Sequence, residues 1–413
     1  MLPRLFALLA LCLVTACGAT GYRVSGPVCL PFAPLGVGAP AEQDSLGGFA
    51  PTISAVIEAA PEIPVTEEMS GTIEDALRGP SAEAILENRS FGKKHILAIS
   101  VGGQNGAFSS GFLTGWTETG TRPVFDIVTG GSAGAIVAPV AFAGSEFDGE
   151  LRQNTGISED DVFERRGPLG ALLSTSLSNT GPLERMPRRF YDGDAIFEAL
   201  TEQTADNRLL LIGATELNSG KFRRFDLAQL LQSDEDDDVK RACLTKSVLA
   251  SSAIPGLFPP RLINGALYSD AGVRRSIFLD QIIETLDKTR GRPRAEVYLL
   301  INGALEFSES EIDPSLIDLV GRNFEIVSDE IMRASILRVL DGARFRGYNL
   351  RAAAIKETPS CGSDSAGSLT EGLFSACVTD ALFQQGYELA RSDDPWMTAA
   401  ELERALEAGR VDQ

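Results

Sequence analysis

The sequence predicts an α/β fold with a mostly parallel central sheet flanked by helices. Three observations carry that expectation. Continuous apolar runs of strand length recur at His95–Val101, Phe125–Thr129, Leu209–Thr215 and Val297–Ile301, as strands buried on both faces require. Glycine-rich turns follow the first two runs, and helical spacing follows the turns, over Ala107–Glu118 and Ala135–Ala143. The composition is that of a globular chain: of 413 residues, 44% are hydrophobic and 23% charged, which excludes wholesale disorder.

In chain order, the first element is an export signal. Arg4 precedes an apolar run, Leu5–Val14, whose roughly 15 Å of helix covers half a bilayer and cannot span it. The run ends in Val14-Thr15-Ala16-Cys17, which resembles the bacterial lipobox. That resemblance implies cleavage after residue 16 and acylation of Cys17; Gly18, in place of aspartate, points to the outer membrane. The alternative is an ordinary signal peptide with an incidental cysteine. Residues 17–90 are rich in Gly, Pro and Ala and are expected as a tether with a few docking segments, including a helical pattern at Ile73–Arg78.

A catalytic domain is expected over 91–310 and a helical extension packed on it over 311–413. The extension's helical patterns lie at Ala381–Arg391 and Ala399–Gly409, with apolar faces that suit a core. The acidic run Asp234–Asp238 is expected as a solvated loop; it lacks calcium-loop spacing. Export agrees with the cysteines. Cys12 leaves with the signal and Cys17 would carry lipid, so Cys29, Cys243, Cys361 and Cys377 remain, an even number for an oxidising compartment. Three pairings are possible. Cys361 with Cys377 closes the shortest loop and would leave Cys29 with Cys243; four free buried thiols are the alternative.

Charge and counting narrow the chemistry. There are 57 acidic and 37 basic side chains, a net charge of −20, so nucleic acid is a poor partner. One histidine, His95, excludes a multi-His metal site and leaves one candidate base for a Ser-His-Asp triad. No metal and no cofactor is expected, and nothing in the sequence sets an oligomeric state.

Gly130-Gly131-Ser132-Ala133-Gly134 fits G-x-S-x-G between an apolar strand and a helix, the context in which a tight turn presents a nucleophilic serine. One strand earlier, Gly102-Gly103-Gln104-Asn105-Gly106 also links strand to helix. In a parallel sheet both turns share the carboxyl edge, where backbone N–H groups can face a developing oxyanion. The glycine spacing fits neither G-x-G-x-x-G nor a Walker loop. His95 begins its strand seven residues before Gly102, roughly 23 Å from that edge, so it is expected to be a strand-entry residue beside Lys93 and Lys94, out of reach of Ser132. A carboxylate can replace it: Asp270-Ala271-Gly272 follows the strand-like Gly265–Tyr268, and an aspartate followed by small residues could accept the serine proton directly.

The order of motifs then becomes specific. The glycine turn with Asn105-Gly106-Ala107-Phe108 is followed by Gly111 to Trp116, Phe125-Asp126 and the Gly130–Gly134 elbow. Ala214-Thr215-Glu216-Leu217 precedes Gly220, and Ala250-Ser251-Ser252-Ala253-Ile254-Pro255 leads to Phe258-Pro259-Pro260 and Asp270-Ala271-Gly272. Over about His95 to Gly303, roughly half the chain, this resembles the patatin-like phospholipase family, bacterial lipoprotein members included. The resemblance implies a patatin-like three-layer α/β fold and a Ser-Asp dyad without histidine. It makes Ser132 the nucleophile and Asp270 the base, with an oxyanion hole from the amides of Gly102, Gly103 and Gln104. Val101 stands in place of the family's first glycine, Asn105 in place of its Arg or Lys, and Ala271 in place of the glycine after the aspartate. The first two departures lean the expected substrate away from diacyl phospholipids, and the Ala271 side chain restricts φ while the aspartate is retained.

The expectation is therefore a lipid-anchored serine hydrolase of phospholipid, lysophospholipid or simpler esters in a bacterial cell envelope. The alternatives are a catalytically silent lipid- or protein-binding lipoprotein on the same fold, and an acyltransferase with the same dyad.

Overall fold

The computed structural model describes Cys29, most of residues 93–165, 178–179, 193–279 apart from 206–207, Ile282, 294–307, Ile312, 316–359, Cys361 and 374–409. The export signal, Cys17 and the Ile73–Arg78 pattern lie outside the described residues.

The elements that position the site come in this order: β1 Lys94–Ile99, α1 Gly106–Glu118, β2 Ile127–Gly131, α2 Ala133–Ala143, α3 Asp194–Ala205, β3 Leu209–Glu216, β4 Phe222–Asp226, α4 Asp237–Ser251, β5 Arg261–Ile263 and β6 Ala266–Ser269. Then follow β7 Ala295–Ala304, α5 Leu316–Arg346, β8 Asn349–Ile355, α6 Ala376–Ala390, β9 Met397–Thr398 and α7 Ala399–Ala408. One sheet runs β9-β8-β7-β1-β2-β3-β6-β5, with β4 also on β3. Its centre, β8-β7-β1-β2-β3, is parallel, and its margins are antiparallel.

The apolar strands explain the layers. Side chains alternate across a strand, so Leu97 and Ile99 of β1 join one core with Phe108, Phe112 and Phe142. Ile96 and Ala98 join a second core with Val297, Ile336 and Leu340. Helices α1, α2, α4 and α6 cover the first face, and α5 and α7 the second. Helix α2 is apolar all round because nearly all of it is buried. Against the helical extension expected beyond 310, the tail also gives β8 and β9 to the sheet, so 311–413 is not purely helical. The acidic run is likewise not all loop: Asp237 and Asp238 form the first turn of α4, where the helix dipole favours negative charge. Disulfides join Cys29 to Cys243 and Cys361 to Cys377.

No helix of the described residues is long and apolar enough to cross a membrane. Among the described residues, no cluster of His, Cys, Asp and Glu could hold a metal ion.

Candidate active site

The elbow is built by close approach. Gly130 and Gly131 end β2, and Ser132 caps α2 with φ 51° and ψ −118°. A side chain in that conformation is strained and persists only where the surroundings fix it. Two serines fix it here: Ser251 Oγ accepts the Ser132 amide proton at 2.8 Å, and Ser252 Oγ donates to the Ser132 carbonyl at 3.3 Å. The glycines are steric requirements. A Cβ on Gly134 would stand 2.5 Å from the Ile99 carbonyl oxygen, and one on Gly130 would meet the Gly134 carbonyl.

Asp270 is held as tightly. Its amide donates to the Ala253 carbonyl at 2.9 Å, and its carbonyl accepts from Thr215 Oγ1 at 2.9 Å. Its carboxylate Oδ1 accepts from the Gly272 amide at 2.7 Å, closing a helical turn over Ala271–Val273. Its Oδ2 is buried and makes no hydrogen bond among the described residues. The Ser132 side chain faces this carboxylate closely enough to pull its pKa down, but without the geometry of a formed hydrogen bond. Burial outweighs that pull and the Gly272 amide, and pushes the Asp270 pKa up to about 6. Ser132 is 5% exposed and Asp270 6%. Ala271 has no positive φ, so its methyl is not strained; it packs where a Cβ on Gly131 would fall.

The first glycine turn lies beside them. Gly103 has φ 55°, a left-handed conformation that suits glycine, and it opens a turn of 3₁₀ helix through Asn105. Gly102 packs on Asn302, where a Cβ would fall 2.5 Å from the Asn302 Cβ. Among the described residues, no protein group accepts from the Gly102 or Gly103 amide. The Gln104 side chain faces elsewhere, its Oε1 accepting from the Ser375 amide at 2.9 Å. Val101 fills the space against Gly131 and Gly272, and Asn105 Nδ2 donates to the Asn302 carbonyl at 3.4 Å. Gly106 approaches Ala133 at the start of α2, where a Cβ would fall 2.8 Å from the Ala133 Cβ.

A narrow apolar cleft of about 50 Å³ opens on Ser132 and runs between Ile136, Val162, Ile254, Phe258 and Phe374. His95, the second residue of β1, sits at the far end of that strand. It lies beside the Tyr298 ring, 3.3 Å from its hydroxyl, and burial lowers its pKa. The sequence motifs thus converge: the elbow, the Ser251-Ser252 pair, Thr215 and Asp270 bind one another. Asn302 and Phe374 are additions that no motif signalled, since a buried asparagine at the end of an apolar strand and a single phenylalanine carry no pattern of their own. Chemically, the arrangement offers a hydroxyl, a buried carboxylate with an open oxygen, free backbone N–H groups and an apolar slot.

A family model described as patatin-like phospholipase matches residues 97–283. Among solved structures, that of VipD from Legionella pneumophila is similar at 12% identity, covering 78% of this chain and 67% of that chain, with a TM-score of 0.35. No curated protein matches the chain.

Proposed function

We propose, from the match of residues 97–283 to the patatin-like phospholipase family model, a family of lipid acyl hydrolases, that the protein hydrolyses lipid carboxylic esters through Ser132 and Asp270. The observation that carries this reading is the buried Asp270 carboxylate beside the Ser132 side chain, with its Oδ2 making no hydrogen bond among the described residues. With a pKa of about 6, the carboxylate is mostly ionised at neutral pH. It takes the proton of Ser132 Oγ as Oγ attacks the ester carbonyl. The Gly102 and Gly103 amides receive the oxyanion. Collapse of the tetrahedral adduct releases the alcohol, which takes the proton back from Asp270. Water then attacks the acyl-serine, giving its proton to Asp270 and then to Ser132 Oγ, and the carboxylic acid leaves. The slot from Ile136 to Phe374 receives the acyl chain, and its narrowness favours a single slender chain. In this reading, acylated Cys17 ties the enzyme to a bacterial envelope membrane.

The test is a lipid-panel hydrolysis assay with purified wild-type, Ser132→Ala and His95→Ala proteins. Ser132→Ala is expected to lose turnover and labelling by a serine-directed fluorophosphonate, and His95→Ala to keep both. Activity retained in Ser132→Ala would sink the mechanism.

A further inference from the structure

Helix α5 changes its apolar side half-way along. In its second half, Ile336, Val339, Leu340 and Ala343 are buried in the core of the second sheet face. Arg333 anchors the helix there through the carbonyls of Leu305 and Leu406, and Met332 lies against Gly303. Gly303 and Leu305 mark the carboxyl end of β7. The preceding sixteen residues, Leu316–Ile331, add roughly 24 Å of helix on the N-terminal side of that contact. In this overhang Val320, Phe324 and Val327 form a stripe at i, i+4 and i+7, each about half exposed. At about 100° per residue, the stripe lies roughly 140° round the helix from the buried one. The apolar side of the overhang thus faces away from the body.

The stripe is at the edge that carries the site. Leu217, just past β3, and Val273, three residues past Asp270, are exposed there too. Leu319 and Ile326 flank the stripe on the same stretch of helix and Ile312 precedes it; the other large apolar side chains exposed among the described residues are Val124 and Phe345, at the opposite edge. Contiguous exposed apolar surface marks an interaction site.

We propose that the Val320-Phe324-Val327 stripe of α5 seats in a lipid surface of zwitterionic or uncharged headgroups and sets the Ser132 cleft against it. Two facts choose this occupant. The first is the tether. The Cys29 amide donates to Asn264 Oδ1, in the β5–β6 turn beyond the carboxyl end of β3. Twelve residues from Cys17 to Cys29 reach at most about 40 Å, so an anchor at Cys17 holds this same edge near the membrane. The second is charge. The overhang carries Asp318, Glu325, Asp329 and Glu330 against Arg322 alone, which suits a neutral surface and opposes an anionic one. The inference rests on the lipid-hydrolase reading of the edge and on the lipobox reading of Cys17.

The test uses the full-length lipidated chain carrying Ser132→Ala, so that no turnover is involved and a failure of the hydrolase reading leaves the measurement intact. Phe324→Trp, Val327→Trp and, at the opposite edge, Val124→Trp are placed in phosphatidylcholine vesicles with brominated acyl chains. Phe324→Trp and Val327→Trp are expected to lose at least half of their added fluorescence, and Val124→Trp none. Adding phosphatidylglycerol should reduce the quenching at low salt. Equal quenching at both edges, or none, overturns the proposal. So does a concentration-dependent blue shift of Phe324→Trp without vesicles, which would assign the stripe to a second copy.

Discussion

Ser132 and Asp270 follow the ends of two strands that meet head-on along one side of β3. Strand β2 pairs with β3 up to Gly131 opposite Gly213, and β6 pairs antiparallel with β3 from Glu216 back to Thr215 opposite Ser269. Strand β4 occupies the other side, also opposite Thr215. The residue after each meeting strand therefore falls beside Ala214, between those two registers. The juxtaposition is fixed by main-chain pairing, which is why two side chains far apart in sequence can be held without a histidine between them.

The acidity of Asp270 sets a pH dependence. In the proposed reaction Asp270 must be ionised, so kcat/KM for a soluble ester is expected to rise tenfold per pH unit below about 6 and level off above it. A pH–rate profile flat from 5 to 8 would contradict that role.

The same burial has a stability consequence. The folded carboxyl, with its pKa raised from 3.8 to about 6, binds more protons than the unfolded chain between those values. Its contribution is therefore retained at low pH and lost as pH rises through about 6, a loss on the order of 3 kcal/mol at pH 8. Asp270→Asn removes the charge. Its melting temperature should exceed that of wild type at pH 8, with the difference shrinking towards pH 4, as read by calorimetry.

Strain at the elbow predicts an ordering of two inactive variants. Ser132 sits at φ 51°, which costs a non-glycine residue about 1–3 kcal/mol. Glycine escapes that cost and loses about 0.5–1 kcal/mol in chain entropy. Ser132→Gly should therefore be more stable than Ser132→Ala by about 1 kcal/mol in urea unfolding. Equal midpoints would mean that the elbow is unstrained.

What the sequence disclosed follows from how local each signal is. Strands β1, β2, β3 and β7 are apolar runs, legible because burial on both faces leaves no alternation to misread. The elbow and the Asp270 turn were legible because close approach demands small residues at fixed offsets. Helix α5 was not, because its apolar stripe changes sides and blurs a single period. Strand β8, with three consecutive alanines, lacks the β-branched residues that advertise a strand. The clamp of Ser251 and Ser252 on Ser132 joins residues about 120 apart, and only the folded sheet creates it.

The two disulfides should separate stability from substrate handling. Cys29–Cys243 spans 214 residues and staples α4, whose Ser251 holds the elbow. Replacing both cysteines by serine is expected to cost about 3–5 kcal/mol. Cys361–Cys377 spans 16 residues and should cost about 3 kcal/mol or less. Cys377 lies two residues from Ser375, which holds Gln104, and three from Phe374 in the cleft wall. Its loss should raise KM several-fold with kcat nearly unchanged, measured on a soluble ester after confirming that the variant still melts cooperatively.

Asn302 is the support of the glycine turn, and its replacement should act on rate more than on binding. It is buried; its Nδ2 donates to the Ser100 carbonyl at 3.0 Å, its Oδ1 accepts from the Ser109 amide at 3.3 Å, and its amide donates to Ser100 Oγ at 2.8 Å. Its Cβ backs Gly102. Asn302→Ala strands the Ser100 carbonyl and the Ser109 amide, at a cost of about 2–4 kcal/mol in stability. It also unties the residue 302 backbone, whose Cβ and carbonyl back Gly102, from Ser100 and from α1, so the wall that aims the Gly102 amide shifts. A displaced oxyanion donor lowers kcat by about 100-fold, while the apolar cleft that binds the acyl chain is untouched. The expected result is therefore a fall in kcat at nearly constant KM, at a temperature where the variant remains folded. A variant that loses stability but keeps wild-type kcat would show that Asn302 supports the fold alone.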